Sequence, residues 1–159
     1  MTETRTGLGF DSHPLDPGRT LKLGGLEFEG EPGLAGHSDG DVVCHALGDA
    51  LLGAAALGDI GQHFSDEDPG TEGMAGADLL GRVVSLLGEA GFVPVACDVV
   101  AIADRPRLAE RRDEIRSSLA GVLGVAAERV SVKATRPEGL GLTGDGVGCL
   151  ALATIGPGR

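Results

Sequence analysis

Residues 39–57 read DGDVVCHALGDALLGAAAL, and the interpretation of the whole chain turns on this stretch. Val42, Val43, Ala46, Leu47, Ala50 and Leu51 recur at helical spacing, and Ser38 or Asp39 can cap the first turn, which predicts a helix over 39–57. Both flanks change character. Upstream, 4–10, 20–23 and 26–29 read as strands, the last two flanking Gly24-Gly25, a two-residue hairpin signal. Downstream, 59–76 is polar, glycine-rich and broken by Pro69, a long loop of the kind that serves functional sites. Then come a second helix at 77–90, a Val- and Ala-rich buried strand at 93–103, a charged amphipathic helix at 107–123 and closing strands at 129–135 and 147–155. The order βββααβαββ, with no internal repeat or low-complexity tract, predicts an α+β fold in which a mixed sheet is covered on one face by helices.

A chain of 159 residues with 42% hydrophobic content fits one domain over 1–159. No basic and apolar signal opens the chain, and Ala50–Leu57, its longest mostly apolar stretch, is far short of a membrane span, so a soluble cytoplasmic protein is expected. Cys44, Cys97 and Cys149 are odd in number, widely spaced and set in apolar runs, which suits small core residues rather than a disulfide framework or a metal knuckle. A net charge of -11, no Trp or Tyr, and no basic cluster beyond Arg111-Arg112 exclude the footprint of a nucleic-acid binder. An anionic ligand must then be held by metals, backbone amides and a few chosen cations.

Asp11 and His13 are one residue apart at the end of an expected strand, so the two-residue period sets a carboxylate and an imidazole on one side. His45, from the helix, would complete a three-ligand zinc site with an open position. The bland reading fits the same residues: Asp-x-His pairs are common, and a histidine near Val42 and Leu47 is often a core residue. Carboxylates lie four residues before and after His45, at Asp41 and Asp49, where they can orient a metal-bound imidazole. Alternatively Asp39 and Asp41 favour the helix start and Asp49 is a solvated face; for Asp39 capping is preferred. The glycine turns at 59–61 and 139–144 could present N–H groups to phosphate or serve only as turns.

Taken together, Gly7-Leu8-Gly9-Phe10-Asp11-Ser12-His13, Gly36-His37-Ser38-Asp39-Gly40-Asp41 with His45, Gly58-Asp59-Ile60-Gly61, and Phe64-Ser65-Asp66-Glu67-Asp68-Pro69 resemble the 2-C-methyl-D-erythritol 2,4-cyclodiphosphate synthase family. The resemblance resumes at Asp104-Arg105-Pro106-Arg107-Leu108 and at Lys133-Ala134-Thr135 followed by Glu138-Gly139-Leu140-Gly141, and so covers nearly the whole chain.

The resemblance implies a homotrimer with active sites at subunit interfaces. It implies Zn2+ on residues corresponding to Asp11, His13 and His45, and Mg2+ or Mn2+ on Glu138. The implied substrate is 4-diphosphocytidyl-2-C-methyl-D-erythritol 2-phosphate, cyclised with release of CMP in non-mevalonate isoprenoid synthesis. By the same resemblance His37, Ser38, Asp59, Gly61 and Asp66 line the methylerythritol phosphate, and Ala103, Asp104, Pro106, Arg107, Leu108 and Ala109 with Thr135 cup the cytidine and its phosphates. Substrate contacts are also implied for Asp11, His13, Ile60, Phe64, Asp68, Glu138 and Leu142, and catalytic roles for His37, Lys133, Thr135 and Arg136. Arg136 and Pro137 stand where hydroxyl residues are common, so Arg136 either supplies charge to the transferring phosphoryl group or points to solvent. Asp145 and Val147 stand where the family often has Arg and Glu, which argues against an isoprenoid diphosphate in a central cavity, unless Asp145 turns outward between Gly144 and Gly146. Two rival readings remain at this level: a zinc phosphoester hydrolase, since an open zinc site also activates water, and a non-catalytic metal-storing module.

Overall fold

The computed structural model describes residues 3–141 and 145–158. Its strands are β1 (Arg5–Leu23), β2 (Leu26–Leu34), β3 (Phe92–Ile102), β4 (Val130–Thr135) and β5 (Gly146–Pro157), joined in one sheet in the order β2-β1-β5-β3-β4. β3 and β4 run parallel and the other pairings are antiparallel, so the sheet is mixed, as expected. Helices α1 (Val42–Ala54), α2 (Ile60–His63), α3 (Gly76–Glu89) and α4 (Arg112–Leu123) complete the α+β architecture.

Several boundaries depart from the sequence reading. The first two expected strands are one continuous β1, whose pairing with β2 is irregular between Asp16 and Thr20. α1 begins at Val42 because Gly40 lies at φ +74°, which breaks the helix; Asp41, not Ser38 or Asp39, is the cap, accepting from the Cys44 amide. The helix expected over 107–123 is a 3-10 turn, Leu108–Arg111, followed by α4. The segment 59–76 is not all loop, since it holds α2 and a 3-10 turn at Pro69–Thr71.

The helices pack on one face of the sheet, α1 against β1 and β5, with α3 and α4 beside it against β3 and β4. At Gly7 and Gly9 the contact with β1 is made without side chains on the strand: a Cβ at Gly7 would stand 2.0 Å from the Ala50 carbonyl oxygen, and one at Gly9 1.9 Å from that of Ala46. Backbone thus meets backbone, and glycine is required at both positions. Alternation in β5 then sends Val147, Cys149, Ala151, Ala153 and Ile155 into the core, so Val147 is a packing residue here. The cysteines are all free and buried, and burial lifts the Cys97 thiol to about 12. The opposite face of the sheet carries no helix. There Leu8 (65% exposed) pairs with Leu152, and Phe10 (49% exposed) with Leu150, forming an apolar patch. Among the described residues no helix is long and apolar enough to cross a membrane.

Candidate active site

The glycine contact between α1 and β1 decides the first cluster. Residues 7, 9, 11 and 13 of β1 share the helix-facing side, and the close approach of α1 brings His45 over the end of that row. Asp11 Oδ2 lies 2.9 Å from His13 Nε2 and 3.2 Å from His45 Nδ1. One ligand atom from each residue falls within 4.8 Å of the others, a carboxylate and two imidazoles whose donor chemistry fits a zinc ion with an open position. Burial pushes the Asp11 carboxyl up, but hydrogen bonds from His13 and His45 and their charges outweigh it and bring the group down to about 2. His13 is raised in turn, its hydrogen bond to Asp11 outweighing burial.

The cluster opens into a cavity of about 310 Å³ whose walls include His37, Ser38, Ile60, Gly61, Phe64 and Asp66. Ser38 Oγ is 3.1 Å from His45 Nε2, so the ring nitrogen turned away from Asp11 is held as well. His37 also lines the cavity, and its Nε2 is buried with no hydrogen-bond partner among the described residues.

The acidic cluster does something other than orient the imidazole. Asp41 is fully buried and accepts from the amides of Gly24 (2.9 Å), Gly25 (2.7 Å) and Cys44 (3.1 Å), tying the β1–β2 turn to the start of α1. Asp39 accepts from the amides of Asp41 and Gly76. Asp49 does reach the cavity, yet its Oδ1 accepts the Ile60 amide at 2.8 Å, so that amide is not free for a phosphate. Burial raises the carboxyls of Asp39 and Asp49. Asp59 and Asp68 line neither this cavity nor the next; each caps a short helical turn, accepting from Gln62 and Gly70 respectively. Gly36, Thr71 and Leu79 line the cavity without having been singled out for it. Thr71 is buried because its hydroxyl donates to the carbonyls of Ser65 and Asp68, a local closure that no spacing rule signals.

A second cavity, about 470 Å³, lies at the ends of β3 and β4 and gathers Ala103, Asp104, Pro106, Arg107, Leu108, Ala109, Thr135 and Arg136, joined by Glu110 and Ala134. It shares no lining residue with the first. Ser12, Gly148, Ile102 and Thr135 are paired in turn across the sheet, three strand spacings or about 14 Å from β1 to β4. Lys133 lines neither cavity; its ammonium donates to Asp98 at 2.8 Å across the β3–β4 pair. Glu138 also lines neither, and sits in an exposed turn at φ +53°. Leu142 falls outside the described residues.

This arrangement has known counterparts. A family model described as the YgbB family matches residues 4–156. The 2-C-methyl-D-erythritol 2,4-cyclodiphosphate synthase of Symbiobacterium thermophilum is 50% identical over 151 residues, which span 94% of this chain and 96% of that protein. The chain belongs to this family. The bifunctional enzyme IspD/IspF of Anaeromyxobacter dehalogenans is 49% identical over 94% of this chain, which spans only 39% of that longer protein. In three dimensions, a CDP-bound 2C-methyl-D-erythritol-2,4-cyclodiphosphate synthase superposes with a TM-score of 0.88 at 36% identity, covering 95% of this chain and 99% of the other.

Proposed function

We propose that the chain cyclises 4-diphosphocytidyl-2-C-methyl-D-erythritol 2-phosphate to the 2,4-cyclodiphosphate and CMP, as a cytoplasmic phosphorus–oxygen lyase of non-mevalonate isoprenoid synthesis. The observation that carries this reading is the Asp11–His13–His45 donor set at the wall of a cavity that His37 and Ser38 also line. An oxygen of the 2-phosphate forms a bond to the β-phosphorus, the bond from that phosphorus to the CMP oxygen breaks, and CMP leaves with the electron pair. No protein nucleophile enters. Zn2+ on Asp11, His13 and His45, with Mg2+ or Mn2+ on Glu138, would neutralise two anionic groups that must meet.

The remaining work is positioning. His37 and Ser38, with Ile60, Gly61, Phe64 and Asp66, wall in the methylerythritol phosphate. Ala103 to Ala109 with Thr135 cup the cytidine, and Arg107 and Arg136 bring positive charge to its phosphates. A zinc phosphoester hydrolase finds no support among the relatives. Phosphorus NMR of the CDP-substrate incubated with the protein, with and without chelator, tests the reading: a cyclic diphosphate with CMP is expected, and release of inorganic phosphate would overturn it.

The same reading takes the active unit to be a homotrimer of single-domain chains. Two features support it: the halves of the site share no residue within one chain, and the helix-free face exposes Leu8, Phe10, Leu150 and Leu152. Light scattering should give three times the 16.0 kDa of one chain; a mass of one chain would refute the trimer.

A further inference from the structure

We infer that Arg19 is a positioning residue of the candidate active site: a bulge in β1 delivers its guanidinium to the carbonyls on either side of His37 and so fixes where His37 and Ser38 stand in the cavity. Asp16 pairs with Gly33 and Thr20 with Pro32, so Pro17, Gly18 and Arg19 have no partners on β2. The bulge is closed by the Gly18 amide donating to Asp16 Oδ1 at 3.0 Å. It also needs Gly33, where a Cβ would stand 2.4 Å from the Arg19 carbonyl oxygen. The sequence therefore shapes this excursion from both strands, and what it presents is one half-buried arginine.

From there Arg19 Nη1 donates to the Gly36 carbonyl at 2.7 Å, and Nη2 donates to the Ser38 carbonyl. The carbonyl between them, that of His37, accepts from the Gly73 amide at 3.0 Å. Residues 35–40 lie in no helix or strand, so no ladder holds these peptides. A single guanidinium supplies two of the three consecutive carbonyl contacts, one from each terminal nitrogen of a planar fork. Its consequence reaches past the loop, because Ser38 Oγ contacts His45 Nε2, and a Cβ at Gly36 would stand 3.1 Å from His13 Cε1. Arg19 does not line the cavity, and its clasp acts through residues that do.

The inference rests on the cyclodiphosphate synthase reading only for the substrate whose turnover it would affect. Arg19→Ala and Arg19→Lys are made in the full chain, and three readouts are taken: hydrogen exchange of the 35–41 peptide, the visible spectrum of the cobalt(II)-loaded protein, and kcat and KM for the CDP-substrate. In Arg19→Ala the loop should exchange at least about tenfold faster while α1 and the sheet keep their rates, and the cobalt bands should shift as His45 loses its oriented partner. kcat should fall by about a hundredfold, the cost of misplacing reacting groups by about an ångström. Free guanidinium should restore part of it and methylammonium should not. Arg19→Lys keeps the charge and should still fail, and it carries the test if the alanine variant does not fold. Wild-type loop exchange and cobalt bands in both variants would overturn the clasp whatever the substrate. Altered exchange with wild-type kcat and KM would overturn the positioning role. If the wild-type protein does not turn the substrate over, the exchange and cobalt readouts still decide the clasp.

Discussion

The two cavities differ in who satisfies their polar groups. In the first, the chain answers most of them itself: Asp11 accepts from two imidazoles, His45 is held by Ser38, and the Ile60 amide is taken by Asp49. In the second, the side chains of Arg107, Thr135 and Arg136 make no hydrogen bond among the described residues. The first half is therefore set by the folding of one chain, whereas the second leaves its side-chain donors open. Under the proposed function, preorganisation has to exist before binding where metal and reacting phosphate would meet, and matters less where a nucleotide would be gripped.

The largest effect expected is on the preorganised side. Removing one imidazole from a three-ligand site takes the metal with it, so His45→Ala should lose zinc by elemental analysis and lower turnover by at least about a thousandfold. CMP binding by calorimetry should persist in that variant, because His45 does not line the second cavity. Retained stoichiometric zinc would sink the assignment, and lost CMP affinity would break the separation of the halves.

Next in size is a stability effect that separates the two kinds of carboxylate around α1. Half-buried Asp11 meets two imidazoles, whereas buried Asp41 accepts from three backbone amides. Asp41→Ala strands three N–H donors, one of them at a helix start, and should cost about 3 kcal/mol in urea unfolding. A loss below about 1 kcal/mol would mean that water replaces the carboxylate easily, and that the turn and the helix are not joined through it.

Legibility followed the range of the interactions. α1 was readable because its apolar period is local, and Asp11, His13 and His45 because a two-residue period and a helix suffice to propose them. What the carboxylates near His45 do was readable only in part: capping of the helix start was open to Asp39 and Asp41 and falls to Asp41, while its longer reach had no signal. Spacing on a helix speaks for neighbours one turn away, but Asp41 bonds Gly24 and Gly25 in a distant turn, and Lys133 bonds Asp98 on another strand. The β1 bulge was hidden for a related reason: 4–10 and 20–23 read as separate strands, and only the pairing on both sides shows one strand passing through. The second cavity was readable almost residue by residue, but only through family resemblance, since no periodicity joins 103–109 to Thr135.

The smallest effect is expected at Arg136, on the side the single chain leaves unfinished. It is exposed, lines the second cavity beside Thr135, and stands where the family commonly has a hydroxyl residue. A cation so placed is screened by solvent until substrate arrives, so its contribution is confined to the complex and modest in size. Arg136→Ala should lower kcat/KM by about tenfold, the equivalent of one charge-assisted hydrogen bond, with zinc content unchanged. The split between constants then assigns the contact: a rise in KM alone means that Arg136 grips ground state and transition state equally, whereas a fall in kcat means that it meets charge developing on the transferred phosphorus. Arg136→Thr should recover kcat only in the second case, since a hydroxyl can replace a donor at the phosphorus but not a long-range charge. Wild-type values for both constants in Arg136→Ala would mean that the guanidinium points to solvent, and the second cavity would then have to bind its phosphates through Arg107 and backbone.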